Sequence, residues 1–79
     1  MIPAQCRGAR ALLDLTQPDL AKAARLGLST IVDFERERRQ VSEEAVTAIR
    51  KALEGAGVEF IDANGGGAGV RLKRKSFRL

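Results

Sequence analysis

The stretch Leu28-Ser29-Thr30-Ile31-Val32-Asp33-Phe34-Glu35-Arg36 reads as a short helix and leads into a basic loop, Arg36-Glu37-Arg38-Arg39-Gln40. Ile31 and Phe34 point inward, which leaves Leu28, Ser29, Thr30, Val32, Asp33 and Arg36 on other faces. Small polar residues on an outward face suit a helix that must fit into a groove; an ordinary solvated face carries more Lys and Glu. The chemistry these residues can do is binding, not bond-making. The chain has no His, no Trp, no Tyr and one Cys, Cys6. That excludes His-based acid–base catalysis, a Cys/His nucleophile pair and a zinc site of Cys and His. Ala63-Asn64-Gly65-Gly66-Gly67-Ala68-Gly69 looks like a phosphate cradle only superficially, because no Lys-Ser/Thr and no helix follow it. The acids sit at caps or beside bases, with no sign of a catalytic pair. The expectation is a non-enzyme without cofactor or metal.

The elements that position these residues can be read from caps and spacing. Residues 3–13 form a first helix with Pro3 in its first turn. Cys6, Ala9 and Leu13 fall on one face with Leu12 beside them, Cys6 being a small core residue. Gly8 weakens this helix by up to about 1 kcal/mol relative to Ala. Thr16 caps the second helix, with Asp19 reaching back in a capping box and Pro18 in the first turn. Leu20, Ala21 and Ala24 mark its buried face. Arg25-Leu26-Gly27 is a tight turn, and the third helix covers 28–36. Ser42 caps a fourth, with Glu43 and Glu44 in its first turn; Val46, Ile49 and Leu53 form its stripe, and Gly55 and Gly57 end it. The period then changes to about two over Val58–Asp62 and Val70–Lys73, which reads as a β-hairpin across the Gly-rich loop. An isolated hairpin is marginal in water. Val58, Phe60, Val70 and Leu72 therefore cover either the helical domain or the same hairpin of a second subunit.

At 79 residues the chain is one small folding unit whose core gains from self-association. It carries 14 Lys+Arg against 10 Asp+Glu, a net charge of +4. Five of the bases, Arg71, Lys73, Arg74, Lys75 and Arg78, stand in the last ten positions, which leaves nine bases against ten acids before them. The tail either attracts phosphate or acidic surfaces or is a solvated end. No apolar run approaches the ~20 residues of a membrane span, the N-terminus lacks a signal-peptide pattern, and a lone Cys fits the reducing cytoplasm.

Arg10, Leu13, Thr16-Gln17, Leu20-Ala21, Ala24, Thr30-Ile31 and Phe34-Glu35-Arg36 together resemble the helix-turn-helix of the phage repressor/Cro-like (XRE) family of DNA-binding regulators. The later stretch Leu53–Ile61, Asn64–Gly67 and Gly69–Leu72 looks like the ending of a bacterial subgroup of small XRE-like proteins. The resemblance implies that Gln17 clamps the DNA backbone and that Leu28, Ser29 and Thr30, with Asp33 one turn on, face base edges. It also implies that Arg36, Arg38 and Arg39 meet phosphates and that Arg10 and Glu35 form a structural ion pair. Two positions depart from the family. Arg25 stands where the turn has Gly, so it adopts a left-handed conformation or the turn is reshaped. Gly27 stands where Ser or Thr caps the third helix. The third helix also lacks Arg, Asn and Gln at its exposed N-terminal positions. Ser29 and Thr30 can bond to bases or phosphates, Leu28 can touch a thymine methyl, and Asp33 can accept from cytosine or orient Arg36.

The reading is a mainly α protein: a four-helix repressor-like helix-turn-helix domain with a C-terminal β-hairpin. Residues 1–57 form the DNA-binding domain, 58–73 a dimerising hairpin through Val58, Phe60, Val70 and Leu72, and 74–79 a basic tail. The expected function is sequence-specific transcriptional regulation by a homodimer on double-stranded DNA. The alternative is an antiactivator- or antitoxin-like module that uses the same fold to restrain a protein partner.

Overall fold

Signals within the chain set the limits of each helix. The computed structural model describes residues 1–73; the basic tail, 74–79, lies outside the described residues. Helices α1 (Pro3–Leu13), α2 (Gln17–Ala24), α3 (Leu28–Arg36) and α4 (Glu43–Ala56) precede strands β1 (Val58–Ile61) and β2 (Gly69–Leu72). At the start of α2, the Asp19 N–H donates to Thr16 Oγ1 at 3.1 Å and the Thr16 N–H to Asp19 Oδ2 at 3.0 Å. That reciprocal cap satisfies two donors that a helix start otherwise leaves unpaired, and it holds the Asp19 carboxyl below its ordinary pKa. Ser42 Oγ accepts from the Ala45 N–H at 3.1 Å to open α4.

Three helices end on a non-glycine residue in the left-handed region: Asp14 (φ 58°), Arg25 (φ 60°) and Glu37 (φ 55°). Each end carries the long bond of a Schellman turn. Leu15 donates to the Arg10 carbonyl at 3.0 Å, Leu26 to that of Ala21 at 2.9 Å, and Arg38 to that of Asp33 at 2.9 Å. The turn between α2 and α3 therefore keeps its hand with Arg25 in place, at a cost of about 1 kcal/mol. Helix α4 runs further than its first glycine suggests. It passes through Gly55 and ends at Gly57, whose φ of 122° is closed to most side chains. Gly55 stops nothing because a single Gly weakens a helix without blocking its hydrogen bonds.

Cys6, Ala9, Leu20, Ile31, Ile49, Leu53 and Val58 are fully buried between the helices and the hairpin. Leu13 packs against this core, whereas Leu12 is exposed. In the hairpin, Val58 pairs with Leu72 and Phe60 with Val70, which puts all four on one face. That face lies on the chain's own helices. Val58 is fully buried and offers nothing to a second chain, Phe60 and Val70 are half-buried against the core, and Leu72 remains 52% exposed. The approach of α1 explains this arrangement. A Cβ on Gly8 would stand 3.3 Å from Val70 Cγ1, so the bare backbone of α1 lets β2 settle close. Buried Gln5 then fastens the hairpin to α1. Its Nε2 donates to the carbonyls of Ile61 and Gly69 at 3.2 and 2.9 Å, and its Oε1 accepts from the Ile2 N–H at 2.8 Å. On the outer face Glu59 pairs with Arg71 at 2.6 Å.

The two glycines of the last turn of α4 should respond in opposite directions. No atom lies within 4 Å of a Cβ built on Gly55, so Gly55→Ala should stabilise by up to about 1 kcal/mol. Gly57→Ala should destabilise by about 1–3 kcal/mol through left-handed strain. Thermal unfolding followed by circular dichroism checks both.

Candidate nucleic-acid interface

Glu35 is a charged residue in the interior, 2% exposed, at the inner side of the last turn of α3. Its carboxylate is saturated by donors from two other helices. Oε2 accepts from Arg10 Nε at 2.7 Å and from the Cys6 thiol at 3.0 Å. Oε1 accepts from Arg10 Nη2 at 2.8 Å and from Gln17 Nε2 at 3.0 Å. Arg7 adds a bond to the Glu35 main-chain carbonyl, and Arg10 Nη1 reaches the Leu15 carbonyl at 3.1 Å. Burial alone would push the Glu35 carboxyl up, but the bonds from Arg10, Cys6 and Gln17 outweigh it and hold the pKa below the usual value. The bond to Glu35 also raises the Arg10 guanidinium. Burial, then the bond to Glu35, pushes the Cys6 thiol well up, so it stays a protonated donor. The Arg10–Glu35 pair expected from the sequence is thus present as a two-point fork. The chain pattern does not reveal that Cys6 and Gln17 share it. Only the crossing of α1 and α2 over the end of α3 brings them there.

This cluster fixes α3 while its far side stays open. Leu28 and Ser29 are exposed, Thr30, Val32 and Asp33 are half-buried, and Arg36 is exposed. Gly27 begins α3 without a side-chain cap. Beyond Arg36, the left-handed Glu37 reverses the chain, and the Arg38 N–H bonds back to the Asp33 carbonyl. Arg39 is thereby brought over α3, where its Nε donates to Asp33 Oδ2 at 2.8 Å. Asp33 therefore orients Arg39 and not Arg36. Gln17 is half-buried with its amide turned toward Glu35, so only part of it faces outward. Beside it, Arg7, Arg10, Leu15, Thr16, Pro18 and Arg36 line a shallow concavity of about 540 Å³ that opens near the start of α2. Three guanidiniums around one saturated carboxylate give that hollow a cationic rim. Nothing in the local sequence singles out Arg7, since its role rests on reaching a carbonyl 28 positions away. Among the described residues no three His, Cys, Asp or Glu side chains gather as a metal site.

Two short helices crossing through a left-handed turn, with the second helix open on its outer side, are the geometry of a helix-turn-helix. A helix-turn-helix family model of the XRE type matches residues 7–60. The chain belongs to this family. No curated protein matches the chain closely enough for comparison. The family is one of DNA-binding transcriptional regulators, so the chain is a DNA-binding helix-turn-helix protein of mainly helical fold. No helix among the described residues is long and apolar enough to cross a membrane.

Removing one partner of the Arg10–Glu35 pair leaves a largely buried charge alone, so Glu35→Leu or Arg10→Met should cost about 3–5 kcal/mol. The apolar double variant Arg10→Met/Glu35→Leu should cost clearly less than the two single changes summed. Urea denaturation of the four proteins measures the coupling. Acid adds a second expectation. With the folded pKa of Glu35 depressed, the unfolded chain takes up the proton first as pH falls. The stabilisation is complete above the unfolded Glu value of about 4.3 and disappears as pH drops below it through the folded value. Glu35→Gln should be less stable at neutral pH and lose less stability on acidification.

Proposed function

We propose that this protein regulates transcription as a sequence-specific homodimer that lays α3 into the major groove of double-stranded DNA. The observation that carries the reading is the outward face of α3. Leu28 and Ser29 are small enough to enter a groove, and Arg36, Arg38 and Arg39 follow at the end of the helix that Glu35 holds in place. Leu28, Ser29, Thr30 and Asp33 then face base edges, while Gln17, Arg36 and Arg38 meet the flanking phosphates. The cationic hollow beside the start of α2 supports the phosphate assignment, since the guanidiniums of Arg7 and Arg36 on its rim suit an anion. A dimer would set two α3 helices about 34 Å apart on one side of the duplex. Leu72 at the end of the hairpin, 52% exposed, is the side chain that supports a contact between subunits there.

Gel-shift titration of the full chain on the DNA upstream of its own gene tests the reading, with shift expected and falling steeply as salt rises. Arg36→Ala/Arg38→Ala should weaken every sequence alike and reduce the slope of log K against log salt by about 1.8, or ~0.9 for each phosphate left without its arginine. Folded protein that shifts no DNA at low salt would sink the DNA reading and favour a protein partner. Leu72→Asp tests the dimer without removing core residues such as Val58. Sedimentation should report a folded monomer with much weaker operator binding, and an unchanged dimer would exclude the hairpin as interface.

A further inference from the structure

The exposed face of α3 carries no Arg, Asn or Gln before Arg36, the side chains that make the strongest two-point contacts to a base. The structure supplies one from outside the helix. Two contacts fold the loop after α3 back on Asp33: the Arg38 N–H on its carbonyl at 2.9 Å, and Arg39 Nε on its carboxylate at 2.8 Å. Asp33 lies one turn beyond Ser29 on the outward face, so the Arg39 guanidinium is set down beside the residues assigned to base edges. Only Nε is engaged. Among the described residues, Nη1 and Nη2 of Arg39 have no partner, and the side chain is 52% exposed.

We propose that Arg39 is a specificity-determining side chain, steadied by Asp33 so that its two terminal nitrogens reach O6 and N7 of a guanine in the major groove. This rests on the DNA-binding reading above. Charge separates a base contact from a phosphate contact. A carboxylate 2.8 Å from the guanidinium leaves the pair with no net charge, which makes it a poor anchor for an anion. Reading guanine needs donors in a fixed fork, and the carboxylate improves that by fixing the fork's direction. An unpaired Asp33 would face the polyanion at a repulsive cost, which the pairing removes. As a fold-stabilising contact an exposed pair of this kind contributes little.

The experiment is selection of binding sites from a pool of randomised duplex DNA by the full wild-type chain, Asp33→Ala, Arg39→Ala and Arg39→Lys, with salt titrations on the enriched duplexes. Arg39 is exposed and Asp33 half-buried, neither belongs to the core, and circular dichroism confirms that each variant is folded. Wild type should enrich a guanine at one position of each half-site by about 5- to 150-fold over other bases. All three variants should lose that preference and keep the rest of the motif, with the salt slope of Asp33→Ala unchanged. Arg39→Lys is informative because it keeps the charge and loses the fork. The proposal is overturned if Arg39→Ala weakens all duplexes equally, keeps the guanine and lowers the salt slope by about 0.9, the mark of a phosphate contact. It is equally overturned if Asp33→Ala keeps the guanine and binds every duplex more tightly. Wild-type protein that binds duplex without enriching any motif overturns it while leaving DNA binding intact. Failure to bind any duplex at low salt rejects the DNA-binding reading itself, and this proposal with it.

Discussion

A carboxylate in the interior of so small a domain is tolerable only if every lone pair is answered. At Glu35 four donors converge on two oxygens: a guanidinium fork, a thiol and an amide. They come from the first two helices, while the carboxylate belongs to the third. Both helices of the helix-turn-helix and the helix before them are therefore tied at one point by directional bonds, where apolar packing alone would leave them free to slide. Such bonds add little net stability when compared with well-packed apolar substitutes, but they are unforgiving of displacement. The angle at which α3 leaves the body depends on this point, and with it the placement of every outward residue from Leu28 to Arg36.

Much of this architecture is legible in the chain. Thr16, Asp19 and Ser42 announce helix starts by chemistry that acts over three residues, and the structure shows those caps formed. The stripes Leu20–Ala21, Ile31–Phe34 and Ile49–Leu53 follow helical spacing and are buried. What the chain conceals depends on distance in sequence. Gln5 looks like a surface residue of a first helix until β1 and β2 bring two carbonyls to it from more than fifty positions away. Gly8 looks like a defect until Val70 is set beside it. Gly55 looks like a stop, but the helix continues because Gly57 provides the conformation that ends it. Helical spacing sets Asp33 beside Arg36, and a reversal at Glu37 gives it Arg39 instead.

The outward surface is harder to read for a related reason. Which residues of α3 are exposed follows from its periodicity, but which side chains arrive from elsewhere to share that surface does not. The loop arginines are indistinguishable as a sequence: Arg36, Arg38 and Arg39 fall within four consecutive positions. Left-handed Glu37 separates them, with Arg36 still on helical geometry and Arg39 folded back. Non-glycine residues hold these reversals at the ends of α1, α2 and α3 in the left-handed region, at a cost of about 1 kcal/mol each that the Schellman bonds help to offset.

The amide of Gln5 closes the hairpin at the rung where Ile61 faces Gly69, just before the chain enters its glycine-rich loop. Register and docking are thus decided on the body side of that rung. The residues from Asp62 to Gly67 are exposed and supply no part of the core. Lengthening a loop whose ends are already pinned adds only a logarithmic entropic cost. The tip of the hairpin is consequently a permissive port: a fluorophore tag or an epitope can be spliced there while the helix-turn-helix keeps its geometry.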